Sequence, residues 1–349
     1  MKLFFCAVTL STYFASVPMA SLFYSWQLLR MYLVFVVVAR ACADERVIPA
    51  LFQGLAIGLI AEACLVFYQK YGVGVLQPNG TFDHQNMLGL ISNMVTIPFV
   101  SLLMANRISR LVSWAPIAGF LIAALTASRA TMGLAGLGLV LTYFQSIFRN
   151  RTSRKIKLGL IGLLLAAVVV PIGLGSFEKR MEVQQGDSSE YYARDERAAY
   201  IDAASMMSSD YPLGVGANNF VIVANTGGYY DRAEVVWQSR SGHVHNIYWL
   251  TLAETGYPGL FSLLLVLVQP LYVAIRWSWR FRDHPDADLL GGLGVALLVT
   301  YVHSNYEWIL VTAMPQYFLA ITFGLVASVY MKLSNTAPHK MVSIRGNEN

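Results

Sequence analysis

Apolar stretches of about 20 residues recur along almost the whole chain and alternate with short polar segments. A stretch of this length can cross the hydrocarbon core of a bilayer as an α-helix. The pattern predicts ten spans, at about residues 3–20, 22–39, 47–68, 86–105, 111–127, 130–148, 157–175, 246–274, 288–303 and 308–331. Helices are expected because backbone polar groups in lipid must be satisfied within the segment, and the alternating pattern of a membrane barrel is absent. We therefore predict an all-α polytopic membrane protein.

The longest polar interval lies between the seventh and eighth spans. It divides the chain into about seven N-terminal spans (1–175), a large loop (176–244), about three C-terminal spans (245–331) and a tail (332–349). Within the loop, acidic residues from Asp187 to Glu190 suit the positive end of a helix dipole and predict a helix over residues 191–207. Pro212 and Gly214 should end that region. The loop is therefore expected to contain short helices.

Positive residues orient these spans across the membrane. Lys and Arg cluster in alternate short connections, at residues 40–46, 107–110, 149–157 and 276–282, and again in the tail. Loops rich in Lys and Arg remain in the cytoplasm. Both ends of the chain are therefore expected in the cytoplasm, and the large loop is expected outside it.

Composition supports a membrane protein and argues against two other classes. Hydrophobic residues make up 56% of the chain, charged residues 13%, and the mean hydropathy is +0.51, whereas soluble domains carry about 25% charged residues. The net charge of +5 comes from clusters between apolar runs, which predicts membrane topology and no nucleic-acid partner. Cys6, Cys42 and Cys64 lie in or beside spans and imply no disulfide framework.

The first span has a second interpretation as a signal peptide. Lys2, the apolar residues 3–10 and the small residues near Ala20 are typical of one. Cleavage after Ala20 would leave nine spans with the same topology, so the functional prediction does not depend on this choice.

Candidate chemistry gathers on the side of the large loop. His84, His243, His245 and His303 are all expected there. Arg129 lies between two apolar spans without a long loop, where an unpaired guanidinium is costly and usually functional or paired.

Two further arginines lie on the predicted loop helix. Arg194 and Arg197 share a face with Ile201 and Ala204 at helical spacing, which would hold both guanidinium groups against something buried. The alternative is an amphipathic helix that lies on the bilayer with its arginines on headgroups.

The sequence His243-Val244-His245-Asn246 opens the eighth span. Histidines two residues apart point to opposite sides of a helix, and no HExxH or CxxC pattern accompanies them, so we expect no metal site. His245 near the positive end of a helix would suit a neutral base beside a diphosphate. The alternative is a histidine that only caps the helix.

Four segments resemble motifs of the O-antigen ligase and Wzy polymerase superfamily. Residues 80–89 resemble its G-x-F-x-H-x-N-x-L-G segment, and residues 125–129 resemble its L-T-x-S-R turn. Arg197 with residues 212–216 is similar to its arginine followed by P-L-x-G-x-G. Residues 245–248 and 254–256 resemble its H-N-x-Y and E-x-G. The resemblance covers about residues 75–265, in the right order.

This resemblance implies transfer of a glycan from undecaprenyl diphosphate to an acceptor hydroxyl at the periplasmic face of the bacterial inner membrane, with no metal or cofactor. The acceptor would be a lipid A core, a protein or another glycan, and membrane lipids surround the site. By resemblance, Arg129 and Arg197 would bind the diphosphate and His245 would be the general base. His84, Asn86, Arg194 and Asn246 would support them.

Two choices stay open at this point. The sequence does not separate ligase from polymerase, because acceptor grooves leave no short motif. A different class, a transporter or flippase for an anionic or lipid-linked solute, is suggested by Arg30, Glu62 and Glu254 in or near spans. Against it, the sequence has no internal repeat and no paired interrupted helices. A membrane scaffold without activity would leave the arginine and histidine placement unexplained.

Overall fold

A computed structural model describes residues 1–110, 112–185 and 189–345, with side chains described outside 177, 179–195 and 336–345. In these ranges the chain is all-helical, without strands. The α-helices are α1 Lys2–Ser11, α2 Pro18–Ala41, α3 Val47–Phe67, α4 Gln85–Met104, α5 Ala115–Leu125, α6 Arg129–Arg149, α7 Ser153–Gln185, α8 Ser189–Asp210, α9 Phe220–Thr226, α10 Tyr229–Arg232, α11 Ile247–Arg280, α12 Ala287–His303 and α13 Ala313–Arg345.

The predicted spans correspond to apolar helices. Among the described residues, seven helices are long and apolar enough to cross a membrane, and three shorter apolar helices cover Lys2–Phe14, Val112–Leu125 and Ala287–His303. The all-α polytopic class is therefore confirmed. A single span over residues 3–20 is wrong, because α1 ends at Ser11 and a 3₁₀ turn, Thr12–Phe14, follows it. Thirteen helical residues reach only about 20 Å, short of the ~30 Å hydrocarbon core.

The chain forms two compact units. The first comprises Met1–Leu33, Lys179–Gln269 and Tyr301–Tyr317. The second comprises Val34–Glu178, Pro270–Thr300 and Phe318–Asn349. The division into loop and span regions at residues 175, 244 and 331 stays a prediction.

In the first unit, the N-terminal turn binds the loop through Asn219. This side chain is fully buried. Its Oδ1 accepts from the Val17 amide at 2.7 Å, and its Nδ2 donates to the Ser21 hydroxyl at 3.1 Å. Ser21 in turn donates to the Ala217 carbonyl at 2.7 Å. Because buried amides are stable only when hydrogen-bonded, these contacts fix the start of α2 against residues 217–219.

The predicted loop helix is confirmed as α8, although Asp187 lies outside the described residues. Its buried positions are Tyr200, Ala203, Ala204 and Met207, which recur at helical spacing. Tyr200 packs edge-on against Tyr230 with ring centroids 5.8 Å apart. Its hydroxyl donates to the Ser239 carbonyl at 2.5 Å, and burial raises the pKa of this phenol. The aromatic contacts hold residues 220–242 on α8.

A turn at residues 212–216 docks on a break in α11. The helix is interrupted at Gly256, whose φ is 66°. Around the break, the Val215 amide donates to the Ala253 carbonyl at 3.1 Å, and the Gly216 amide donates to the Glu254 carbonyl at 2.8 Å. In the other direction, the Tyr257 amide donates to the Pro212 carbonyl at 3.0 Å. The turn therefore satisfies backbone groups that the helix break exposes.

Two glycines permit this close approach. Gly214 has φ 84°, and a Cβ there would overlap the backbone of Glu254 and Gly256. A Cβ at Gly256 would overlap the Pro212 carbonyl oxygen and Leu213. Positive φ angles are also unfavourable for residues with a side chain.

In the second unit, α4 packs against α5 and α6 and is almost wholly buried. Its core contacts include Ile97 with Leu134, Val295, Ala296 and Val299. Small residues let these helices approach closely, as membrane helices commonly do. This packing fixes α4 and α6, whose first residues carry two of the motifs.

Ionic contacts join the polar ends of this unit. Asp286 pairs with Arg107 and with Lys332, the latter at 3.1 Å. Asp288 pairs with the buried Arg149 and lies 3.6 Å from the buried Lys155. The charge pattern predicts that all these segments lie in the cytoplasm, and this orientation stays a prediction.

Replacement of Gly256 by Ala should destabilise the first unit. The added methyl group meets backbone that cannot move away, and the left-handed conformation becomes strained, so we expect a cost of roughly 2–5 kcal/mol. Thermal unfolding of the purified protein measures it. Gly58→Ala is the matched control, because that glycine lies in α3 and a methyl group added there would have nothing within 4 Å. Equal melting temperatures for the two variants would contradict the docking interpretation.

Asp288→Asn should unfold the second unit more readily, since it leaves two buried cations without their carboxylate. Loss of one partner of a buried pair costs about 3–5 kcal/mol. The control is Glu45→Gln, because Glu45 pairs with Lys332 at 2.9 Å but its side chain is 79% exposed; we expect little change in stability from this variant, since solvent screens exposed ion pairs. Detergent or thermal denaturation followed by tryptophan fluorescence compares the two.

Candidate functional site

The motif residues fall in both compact units. Arg129, His84 and Asn86 belong to the second unit, whereas Arg197, His245 and Asn246 belong to the first. In each unit, motif residues lie at helix N-termini, where backbone N–H groups have no partner inside the helix.

In the second unit, His84 and Asn86 begin α4. The His84 Nδ1 accepts from the Asn86 amide at 3.3 Å and caps the helix. The Asn86 Oδ1 accepts from the Ser128 hydroxyl at 2.9 Å. Two motifs that are about 40 residues apart in sequence are therefore in direct contact.

Ser128 caps α6 at this contact. Its hydroxyl oxygen accepts from the Thr131 amide at 3.3 Å, which is the usual role of a serine at a helix start. Ala127 before it has φ 50°. Arg129 is the first residue of α6, and its side chain is exposed. The tight turn thus presents this guanidinium at the surface of the unit.

In the first unit, Asn246 caps α11. Its Oδ1 accepts from the amides of Tyr248 at 3.0 Å and Trp249 at 3.2 Å. The Ile247 amide donates to the Ser304 carbonyl at 3.1 Å. The Tyr248 hydroxyl donates to the Tyr301 carbonyl at 2.9 Å. Asn246 therefore has a structural role, and the helix start is tied to residues 301–304.

His243 and His245 lie on a shared aromatic platform. The His245 ring stacks on the Trp308 indole with centroids 4.3 Å apart and planes 24° from parallel. The His243 ring meets Trp308 edge-on at 5.8 Å. The indole Nε1 donates to the Val244 carbonyl at 2.8 Å. Trp308 thus contacts three consecutive residues of the motif.

This arrangement corrects the expected geometry of the two histidines. The sequence pattern places them on opposite sides of a helix, but α11 begins only at Ile247 and both residues precede it. Outside a helix, residues two apart are not forced to opposite sides, and here both rings reach one tryptophan. Burial lowers the pKa of His243, which keeps it neutral at neutral pH.

Of the two α8 arginines named in the sequence analysis, the structure describes the side chain of Arg197. Arg197 is exposed, one helical turn before the buried Tyr200. Ala204 is buried and Ile201 partly so. The side chain of Arg194 lies outside the described ones, so its proposed supporting role stays a prediction.

Glu254 and the turn after α12 make contacts that the sequence pattern does not predict. The Glu254 carboxylate is buried and accepts from the Phe220 amide at 3.2 Å. Sequence reasoning missed Trp308; its position directly after the polar turn 303–307 was the available signal. His303 in that turn is fully buried, and in the described part of the chain neither of its ring nitrogens has a hydrogen-bond partner.

Each unit, taken by itself, presents side chains whose chemistry suits proton transfer or anion binding. A half-buried imidazole at a helix start can accept a proton, and exposed guanidinium groups can bind phosphate oxygens. Within the described ranges, no three His, Cys, Asp or Glu side chains are grouped to hold a metal ion.

Comparison with protein families identifies the region that contains most of these motifs. Residues 114–264 match the sequence model of a family described as O-antigen ligase. A search of curated proteins gives no match. The matched region includes Arg129, Arg197, His245 and the docked segments 212–216 and 254–256. The resemblance inferred from the motifs is thereby confirmed over residues 114–264 of this all-α polytopic membrane protein, which match the O-antigen ligase family model; the motif at residues 80–89 lies outside the match.

Proposed function

We propose that the protein transfers a glycan from undecaprenyl diphosphate to an acceptor hydroxyl at the periplasmic face of the inner membrane. The family supports a ligase-like or polymerase-like role in surface polysaccharide synthesis. The observation that carries the specific chemistry is the position of His245, held before the N-terminus of α11 by stacking on Trp308.

In the proposed reaction, His245 takes the proton of the acceptor hydroxyl while the acceptor oxygen attacks the anomeric carbon of the donor. The bond from that carbon to the diphosphate oxygen breaks, and its electron pair leaves with the diphosphate. Arg129 and Arg197 stabilise the negative charge that develops there. The proton then passes from His245 to solvent or to the leaving group, so the base is regenerated. Written in this way, the reaction needs neither a metal nor a nucleotide sugar.

Exposure and local structure support these roles. Both arginine side chains are exposed in their units, and guanidinium groups bind phosphate oxygens through paired hydrogen bonds. The start of α11 also offers a positive dipole end beside His245, which favours a nearby anion.

A transporter receives less support from its candidate residues. The Glu62 side chain accepts from the Thr81 amide at 3.2 Å and from the Thr81 hydroxyl. Glu254 accepts from the Phe220 amide and is buried beside the docked turn. Both carboxylates thus hold loop backbone in place, a role that leaves them poorly suited to line a conduction path.

Replacement of His245, Arg129 or Arg197 by Ala should abolish long-chain surface glycan in a deletion strain complemented with each variant. Loss of a general base lowers rates by roughly 10²–10⁴-fold, and loss of a charge-stabilising donor by about 10²–10³-fold. Surface glycans separated on a gel, together with protein levels in the membrane, give the result.

The matched control for the arginines is Arg232→Ala. Arg232 also lies in the loop, but it stacks on Tyr229 at 4.2 Å and is 3.6 Å from Asp210. We expect near-normal glycan from this variant. Normal glycan from all three site variants at normal protein level would refute the proposed machinery.

The intermediates that accumulate separate the two acceptor classes. Lipid-linked single repeats without polymer indicate a polymerase, whereas polymer held on its lipid carrier indicates a ligase. Thin-layer chromatography of the lipid fraction from the His245→Ala strain distinguishes these products.

Trp308→Phe should lower turnover, and Trp308→Ala should lower it further. Phe keeps a ring against His245 but loses the indole hydrogen bond, for which we expect a decrease of up to about tenfold. Ala loses both contacts, for which we expect about a hundredfold. Glycan transfer by purified protein in lipid nanodiscs measures both rates.

Donor binding should remain near the wild-type value in both Trp308 variants. A purely structural role would instead lower binding, melting temperature and turnover together. Wild-type turnover in Trp308→Ala would show that stacking does not position His245.

A further inference from the structure

Arg30 is a cation near the middle of a membrane helix. It lies in α2, which covers Pro18–Ala41, roughly 16–18 Å from either helix end at 1.5 Å per residue. The helix is one of the candidate spans. An ionisable side chain within a membrane-spanning helix is energetically costly, and it usually has a partner or a function.

The partners of Arg30 are neutral. Its Nη2 donates to the Gln316 Oε1 at 3.3 Å, and its guanidinium carbon lies 4.9 Å from the centre of the Tyr317 ring. Its Nε is buried and has no hydrogen-bond partner among the residues that the structure describes. Among the side chains that the structure describes, no carboxylate pairs with Arg30. Within the described side chains of the first unit, this positive charge in a span therefore has no carboxylate as counter-ion.

Gln316 is fixed so that its oxygen faces this arginine. The side chain is fully buried. Its Nε2 donates to the Leu310 carbonyl at 2.7 Å and to the Gln27 Oε1 at 3.3 Å. With both amide donors engaged, the Oε1 is left to accept from Arg30. The guanidinium is thus oriented by a neutral amide, and its charge is not cancelled.

The segment that orients Arg30 also carries the proposed site. Leu310 follows Trp308 by two residues, and Trp308 stacks on His245. Residues 27–30 and 308–317 all belong to the first unit. Contacts through Gln316 and Leu310 therefore link the arginine to the segment that holds the imidazole.

We propose that Arg30 binds the phosphate of a membrane lipid. Membrane lipids present phosphate at the edge of the hydrocarbon region, and both partners of Arg30, Gln316 and Tyr317, lie close to the start of α13 at Ala313, the end of a candidate span. Such a phosphate accepts paired hydrogen bonds from guanidinium N–H groups. The Tyr317 ring and the Gln316 oxygen are neutral, so they hold the guanidinium group without cancelling its charge. Only the further assignment of this phosphate to the polyprenyl diphosphate donor rests on the proposed function.

The decisive variant is Gln316→Glu. It is nearly isosteric and places a carboxylate against Arg30, so a ligand phosphate must compete with an internal partner. A merely structural Arg30 would keep its contact with the new carboxylate, although the protein loses the two hydrogen bonds that the Gln316 Nε2 donates. A phosphate-binding Arg30 would lose its ligand. Arg30→Gln removes the charge directly, and Arg30→Lys keeps it without the planar fork.

Native mass spectrometry of the full chain, purified in a zwitterionic detergent, measures lipid retention. The probes are undecaprenyl diphosphate, phosphatidylglycerol and a neutral diacylglycerol, added separately. We expect wild type to retain a phosphate-bearing lipid, and Gln316→Glu and Arg30→Gln to lose at least about tenfold in retention. Arg30→Lys should retain an intermediate amount. Melting temperatures verify that each variant is folded.

Preferential loss of undecaprenyl diphosphate assigns the site to the donor, and equal loss of phosphatidylglycerol assigns it to a phospholipid. Undiminished retention in folded Gln316→Glu overturns the proposal, as does wild-type protein that retains diacylglycerol equally well. Failure of the proposed function can be distinguished from failure of the Arg30 proposal. If only the proposed function is wrong, His245→Ala keeps full glycan transfer while the Arg30 variants still lose phosphate lipids.

Discussion

The break in α11 at Gly256 is the constraint on which the first unit depends. A helix interrupted at a candidate membrane span exposes backbone polar groups, and each must find a partner inside the protein. The turn at residues 212–216 provides those partners, with hydrogen bonds on both sides of the break. The glycines at 214 and 256 allow the two backbones to come this close. Consequently, the large loop is attached directly to the helix that follows His245.

The motif residues are arranged mainly around helix starts. His84 caps α4, Ser128 caps α6 and Asn246 caps α11. Capping residues satisfy the first N–H groups of a helix and also fix the direction of the chain just before it. Ser128 thereby fixes the start of α6, whose first residue is Arg129. Asn246 likewise fixes the start of α11, which His245 precedes. Residues that resemble catalytic motifs thus include some that build the turn at a helix start.

Trp308 and Arg30 extend the first unit beyond those motifs. Trp308 binds the Val244 carbonyl and supports the imidazole of His245. Gln316 connects the same segment to Arg30 by two hydrogen bonds through one buried amide. In both contacts a neutral side chain orients a functional group: Trp308 orients the His245 imidazole, and Gln316 orients the Arg30 guanidinium. The network of Asp286 and Asp288 in the second unit works differently, because there carboxylates cancel the charge of buried or half-buried cations.

The apolar pattern by itself determined the class of the protein, because lipid permits few alternatives to long helices. It also located α8 and most helix ends within a few residues, since capping and charge signals are local. Contacts between distant segments were decided only by tertiary structure. No periodicity shows that Asn219 binds the turn between α1 and α2, that residues 212–216 dock on Gly256, or that Trp308 supports two histidines that lie outside the helix. These contacts depend on backbone geometry and packing between residues far apart in the chain, which a one-dimensional pattern does not record.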